Sequence, residues 1–237
     1  MSKIIDFHSH ILPGIDDGSP SLQESIAMLH LEAEQGIEHV VATPHFYAQH
    51  DSPKEFLKRR DAAEAKLREE MEKYPGLPQL SVGAEVYYVP GISDSDALQG
   101  STLDKNGCII LEMPHCAWLE YMYKEMAGIS IKQGITPIVA HIDRYISPFN
   151  VSRIMERLDE LPVLVQANAS FFLHPFTKQM AVHLLREDRI HLLGSDCHNM
   201  TSRPPNLGPA LGLIRQRLKE DAFERIYAYQ EMVLQGE

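Results

Sequence analysis

The sequence predicts an α/β fold in which a parallel sheet closes into a β/α barrel, and two observations carry that reading. Seven short apolar runs, at residues 3–8, 37–42, 79–86, 108–112, 135–141, 163–169 and 190–195, alternate mostly with segments of helical periodicity. Strands connected through helices pair in parallel. Residues able to bind metal recur just past the ends of these runs, and in a β/α barrel those ends share one face.

The first run is rich in Ile and Phe and reads as a short buried strand. After the loop HSHILPGIDDG, Ser21 and Glu24 form a capping box, and Leu22, Ile26, Leu29 and Ala33 mark one helical face that Gly36 ends. The second run leads to Thr43-Pro44-His45. A charged helix over about 53–73 leaves through Tyr74-Pro75-Gly76. Helices at about 118–133, 151–160 and 176–187 follow the later strands, and two more close the chain from about 207 to 235. With no low-complexity linker and no sequence repeat, the simplest organisation is a single domain over 1–237.

Length alone allows one barrel or two smaller domains, and 44% apolar with 23% charged residues suits a chain that buries a full core. The net charge of -11 argues against a nucleic-acid partner, which needs a field of Lys and Arg. It does not argue against an anionic substrate, because bound multivalent cations reverse the local field. No apolar run approaches the ~20 residues of a membrane span. The opening MSKIIDFHSHILPG lacks the apolar core of a signal peptide. Three cysteines, Cys108, Cys116 and Cys197, are too few for a disulfide framework. The expectation is a cytoplasmic protein without direct membrane insertion.

His8 and His10 flank Ser9 past the first strand, and alternate side chains of extended backbone share a face, so both imidazoles can reach one cation. Asp196 and His198 mirror them past the last strand. His45, Glu85, Glu112 and His141 each close an apolar run, where a carboxylate is expensive to bury without a cationic partner. Singly, each has a plainer explanation, a satisfied histidine at the barrel top or a surface glutamate. Asp16 and Asp17 precede Gly18 as a solvated turn would, and for Asp16 that reading is kept. His30, His39, His50, His183 and His191 read as structural or surface residues, and nothing promotes His115 or His174.

The donors are all nitrogen and oxygen, which disfavours thiolate sites and suits Mn²⁺, Fe or Zn²⁺. With bridging carboxylates the array suffices for two to three ions, enough to activate water and clamp the oxygens of a phosphoryl displacement. Arg144, three residues beyond His141, and Arg203, five beyond His198, carry guanidinium forks that bind phosphate oxygens, though either also reads as a surface ion pair. Cys197 and Arg203 satisfy C-x5-R, the spacing of a cysteine-based phosphatase. The intervening HNMTS has no glycine to curl amides around phosphate, and Pro204-Pro205 stand where a helix should begin.

HSHILPGIDDG, ATPH, GAEV, HIDRY, GSDCHN and RPP, in this order across nearly the whole chain, resemble the PHP (polymerase and histidinol phosphatase) superfamily. More narrowly they resemble its bacterial metal-dependent tyrosine-protein phosphatases of the CpsB/CapC type, from capsule and exopolysaccharide loci. The resemblance implies a distorted seven-stranded parallel (β/α)7 barrel and a three-metal site, commonly supported by manganese. It assigns Asp17 to the site. One ion would take His8, His10, Glu85 and Asp196; a second Glu85, Glu112 and His141; a third Asp17, His45 and His198. Arg144 and Arg203 match the arginines that bind the substrate phosphate. The implied reaction is attack of metal-activated water on phosphotyrosine in a membrane-associated tyrosine autokinase. Asp143 departs from the Glu common before that arginine, and should change a contact in the cleft and no ligand. Histidinol phosphate or another small phosphate is the competing substrate, and a nuclease or a non-catalytic binding domain fits the acidic, fully liganded sequence less well.

Overall fold

The computed structural model describes residues 4–103, 107–218 and 220–235; Lys3, where the first strand is expected to begin, lies outside them. The described strands are β1 (Ile5–Ser9), β2 (His39–Ala42), β3 (His45–Phe46), β4 (Gln79–Val82), β5 (Glu85–Tyr87), β6 (Cys108–Glu112), β7 (Thr136–Val139), β8 (Leu164–Asn168) and β9 (Leu192–Gly194). The helices are α1 (Leu22–Glu34), α2 (Pro53–Met71), α3 (Glu120–Gln133), α4 (Val151–Asp159), α5 (Ala169–Leu173), α6 (Lys178–Arg186), α7 (Leu207–Arg217) and α8 (Glu220–Gln235). All strand pairs are parallel. A curled six-stranded sheet runs β3-β5-β6-β7-β8-β9, and a three-stranded sheet runs β1-β2-β4.

The third expected strand is broken into β4 and β5, and the second, β2, is followed past its expected end by the separate short strand β3. Pro44 has no N–H to give the ladder, and the chain steps there from β2 to β3. The facing strand steps at Gly83-Ala84, and pairing continues through Gly83 N to Ala42 O at 2.9 Å and Glu85 N to Pro44 O at 3.0 Å. A Cβ at Gly83 would lie 2.2 Å from Leu103 Cδ2, so a side chain there would make Leu103 shift. At the other edge Asp196 N donates to His8 O (2.8 Å) and His10 N to Cys197 O (2.9 Å), joining β1 to the segment after β9.

One face of the strands packs Val40, Ala42, Ile109, Leu111, Val139, Val165 and Leu193 into the helix-covered core. The other face contributes Ile5, Phe7, Val41, Ile110, Ile138, Leu164 and Leu192 to a second cluster, which Val233 of α8 joins. The curled sheet therefore encloses packed side chains on its inner face. Each such buried aliphatic or aromatic side chain contributes roughly 1.5–3 kcal/mol.

A bulge in β1 sets the first two ligand candidates. Asp6 pairs with Val40 but Ser9 with Ala42, so β1 carries one extra residue between them. Such an insertion re-aims the side chains beyond it. Before the bulge Phe7 belongs to the inner cluster and Asp6 interacts with Glu32 of α1. After it, His8 and His10 face the cleft above that cluster.

Helix ends follow the sequence with two differences. Ser21 Oγ accepts from Glu24 N at 3.2 Å, but the Glu24 carboxylate accepts from Met200 N at 2.8 Å instead of reaching back to the cap. Half a capping box thus ties α1 to the loop after β9. The short α5, with Phe171 and Phe172 buried, occupies residues that sequence periodicity leaves between strand and helix.

Candidate metal centre

The strand ends bring all nine metal-binding candidates to one end of the sheet. His8 Nε2 lies 3.2 Å from His10 Nε2, and each lies 3.3 Å from Glu85 Oε2. Asp196 Oδ1 stands 3.7 Å from His8 Nε2 and 3.6 Å from His10 Nε2. Donors placed about 2.1 Å from a tetrahedral cation are separated from one another by about 3.4 Å, so His8, His10 and Glu85 fit the edges of one coordination shell, with Asp196 beside both imidazoles. Glu85 continues into a second group through its other oxygen: Oε1 is 2.7 Å from His141 Nε2, which is 3.8 Å from Glu112 Oε1. Asp17 Oδ1 gathers the third, 3.4 Å from His45 Nε2 and 3.6 Å from His198 Nε2. His45 also bridges back, with Nδ1 3.0 Å from Glu85 Oε2 and 3.8 Å from Glu112 Oε2.

The donor set passes a second test. Glu85 Oε2, His45 Nδ1 and His198 Nε2 are buried and have no hydrogen-bond partner among the described residues. Buried polar groups ordinarily have partners, and atoms that converge without hydrogen bonds have the placement of metal ligands. Two ligand candidates sit on strained backbone. His141 has φ 30° and Asp196 φ 54°, a region non-glycine residues rarely enter. The turn at His141 brings its ring to Glu85 although Val139, two residues earlier, faces the helices.

Carboxylates dominate the electrostatics. Burial alone depresses the His10 imidazole, but Asp16 and Glu85 outweigh it and hold the pKa at about 10. Burial and then the Glu85 charge push Glu112 up to about 7. Burial and then His10 push His198 down to about 4. The cluster thus draws positive charge toward its centre, and a divalent cation supplies that charge without protonating the ligands.

Several residues outside the expected set hold these donors in place. Asp16, read from sequence as part of a solvated turn, is instead an inward support with a side chain only 6% exposed. Its Oδ2 lies 2.8 Å from His10 Nδ1 and accepts from His45 N at 3.0 Å, while Oδ1 accepts from Gly18 N. A carboxylate on the far ring nitrogen fixes the tautomer that leaves Nε2 free to ligate. Gly18 permits this, since a Cβ there would lie 2.3 Å from His10 O. The sixth expected strand, which offered no ligand, supplies Gln166 and Asn168. Gln166 Oε1 accepts from His141 N (2.6 Å) and lies 3.3 Å from His8 Nδ1; its amide donates to Asn168 Oδ1, and Asn168 Nδ2 donates to Asp196 Oδ2. Asp143, expected to change a contact in the cleft and no ligand, accepts from Asn168 N at 3.0 Å and feels the charges of Arg144 and Asp196.

Both arginines reach the same place. Arg144 Nη2 and Arg203 Nη2 lie 2.5 and 2.7 Å from Asp196 Oδ2, and Arg144 Nη1 is 3.2 Å from His141 Nε2. Their side chains remain 28% and 37% exposed, open to an anion arriving from solvent. Cys197, between two ligand candidates, is fully buried with Sγ 4.0 Å from Glu32 Oε1, and burial pushes its thiol well up. A buried, protonated thiol lacks the exposed thiolate that a cysteine nucleophile needs.

Fold and site together define a parallel α/β protein whose strand ends present a histidine-carboxylate cluster suited to divalent cations, beside two arginines suited to an anion. The chain belongs to the CpsB/CapC family of capsular polysaccharide synthesis, whose model matches residues 4–234. It is 28% identical over 221 residues to the tyrosine-protein phosphatase CpsB of Streptococcus agalactiae serotype III, covering 89% of each chain. It is 25% identical over 242 residues to the tyrosine-protein phosphatase YwqE of Bacillus subtilis, covering 99% of this chain and 92% of that one. Among solved structures it superposes with a TM-score of 0.84 and 22% identity on one from a study of the metal-dependent tyrosine phosphatases YwqE of Bacillus subtilis and CpsB of Streptococcus pneumoniae, covering 99% and 95% of the two chains. Histidinol phosphate phosphatase of Lactococcus lactis, solved with zinc, histidinol and phosphate, shares the fold at a TM-score of 0.56 and 15% identity, over 91% and 94%. No helix among the described residues is long and apolar enough to cross a membrane.

Proposed function

We propose that this chain is a metal-dependent protein-tyrosine phosphatase acting on a membrane-associated tyrosine autokinase in capsule or exopolysaccharide synthesis. The observation that carries the reading is the convergence of His8, His10 and Glu85 at coordination-shell spacing beside Asp196, with Arg144 and Arg203 on the outer oxygen of the same Asp196. Family membership and the names of the relatives support it. The proposal extends to a single cytoplasmic domain built as a distorted seven-position barrel, the paired segments β2–β3 and β4–β5 each filling one position.

His8, His10, Glu85 and Asp196 would hold one cation, Glu85, Glu112 and His141 a second, and Asp17, His45 and His198 a third. The all-nitrogen-and-oxygen set favours manganese, with iron or zinc as alternatives. Bound divalent cations supply Lewis acidity, lowering the pKa of water and offsetting charge on phosphoryl oxygens. Arg144 and Arg203 bind the remaining phosphoryl oxygens and stabilise charge that develops on them. Asp16 and Gln166 orient His10 and His8, and Asn168 keeps Asp196 in place. A phenolate leaves with a pKa of about 10, so a dedicated general acid is unnecessary.

Turnover of a phosphotyrosyl peptide, compared with histidinol phosphate on the same manganese-loaded sample, tests the proposal. Preference for the peptide is expected. Preference for histidinol phosphate overturns the tyrosine reading and moves the protein to small-molecule metabolism.

A further inference from the structure

Beside the metal cluster lies a cleft of about 400 Å³, whose lining includes Asp17 and His45 together with Ile15, Phe46, Tyr47 and Arg59. Tyr47 stands out in it. It lies two residues past the ligand candidate His45 and is 38% exposed, one of the few large hydrophobic side chains left open among the described residues. Its ring is nevertheless fixed: the centroid is 5.3 Å from His45, 5.6 Å from Tyr87 and 6.3 Å from His50. The contact with His45 is tilted by 31° and that with Tyr87 by 44°. An aromatic ring braced by three others loses little entropy when a fourth packs against it, and aromatic pairs attract beyond the area they bury.

We propose that Tyr47 is the specificity-determining wall of this cleft, packing against the aryl group of the substrate and selecting aryl phosphates over alkyl phosphates. The inference rests on the phosphatase reading above and adds the basis of its substrate choice. In an aryl phosphate the ring begins at the bridging oxygen, so a phosphoryl group seated among the histidines and arginines carries its ring to the first side chains beyond the ligands. On the His45 side, Tyr47 is that side chain. An alkyl phosphate presents no flat face there and gains little from the same wall.

The test is the ratio of kcat/KM for p-nitrophenyl phosphate to that for β-glycerophosphate, in manganese-loaded wild type, Tyr47→Phe, Tyr47→Leu and Tyr47→Ala. The ratio should fall about tenfold in Tyr47→Ala and Tyr47→Leu, mostly through KM for the aryl substrate, and stay within about twofold of wild type in Tyr47→Phe. The leucine variant keeps an apolar side chain but no ring, and the β-glycerophosphate rate in the same variant reads any general packing defect, which would lower both substrates alike. An unchanged ratio in both the alanine and leucine variants overturns the inference while leaving the phosphatase reading intact. A wild type that hydrolyses no aryl phosphate overturns the phosphatase reading and this one with it.

Discussion

Arg144 and Asp196 meet across the mouth of the site, Nη2 to Oδ2, although 52 residues separate them in sequence. Asp196 divides its two oxygens between two kinds of partner. Oδ1 faces the imidazoles of His8 and His10, while Oδ2 takes Arg144, Arg203 and Asn168. In the proposed assignment, the cation site and the phosphate site would therefore share Asp196, one oxygen toward the imidazoles and the other toward the guanidinium groups.

From this division, Arg144→Ala should lower kcat/KM for a phosphotyrosyl peptide by about 10²–10³-fold, the usual loss when one charge-stabilising donor is removed. Metal content should stay near the wild-type level, because Arg144 is not a ligand candidate and Arg203 and Asn168 still hold Asp196 Oδ2. Steady-state kinetics with metal analysis checks both. Wild-type kinetics in the variant removes the phosphate role.

Asp16→Asn should weaken metal affinity by about 10–100-fold, as loss of a carboxylate behind a ligating histidine typically does. The carboxylate is held down at about 2: burial raises it, but the hydrogen bond and charge of His10 prevail. Calorimetric titration with Mn²⁺ measures the change. Affinity equal to wild type shows that His10 needs no such support.

The contrast between Asp16 and Asp17 shows how much the sequence reveals. Most ligand candidates stand out in the sequence because they sit at or just past the end of an apolar run, whereas Asp17 lies in a loop and only the family resemblance sets it apart from Asp16. Asp16, Gln166 and Asn168 carry no such mark. Their importance comes from which ring nitrogen or backbone amide lies opposite, a relation between strands far apart in the chain. The β1 bulge is hidden for the same reason, since IDFHSH reads as uninterrupted extended chain. Thr43-Pro44 and Gly83 signal the two strand breaks only once each is known to face the other.

Asp143 offers a pH-dependent test of the β8 support. Burial raises its carboxyl from the usual aspartate value of about 3.9 to about 6. Its stabilising contribution is thus complete below about pH 4 and is lost as pH rises through about 6, where the ionised form pays the desolvation. Asp143→Asn keeps an acceptor for Asn168 N and cannot ionise. In metal-free protein it should match wild type near pH 4 and exceed it at pH 7.5, by on the order of 2 kcal/mol or less. Denaturant melts at the two pH values measure this, and a pH-independent difference contradicts it.

Cys197→Ala should retain phosphatase activity within about twofold, because the thiol lies buried against Glu32, away from the phosphate site. Loss of turnover with metal content unchanged would restore the cysteine to the chemistry.

The central claim is that this cluster holds cations and that hydrolysis depends on them. The most direct measurement strips the protein with a chelator, returns Mn²⁺ in steps, and reads bound metal and phosphotyrosyl-peptide turnover on the same sample. Turnover that is absent without metal and rises as roughly two to three ions bind per chain is the expected result. Full turnover in the stripped protein, or none in the fully loaded one, contradicts the account.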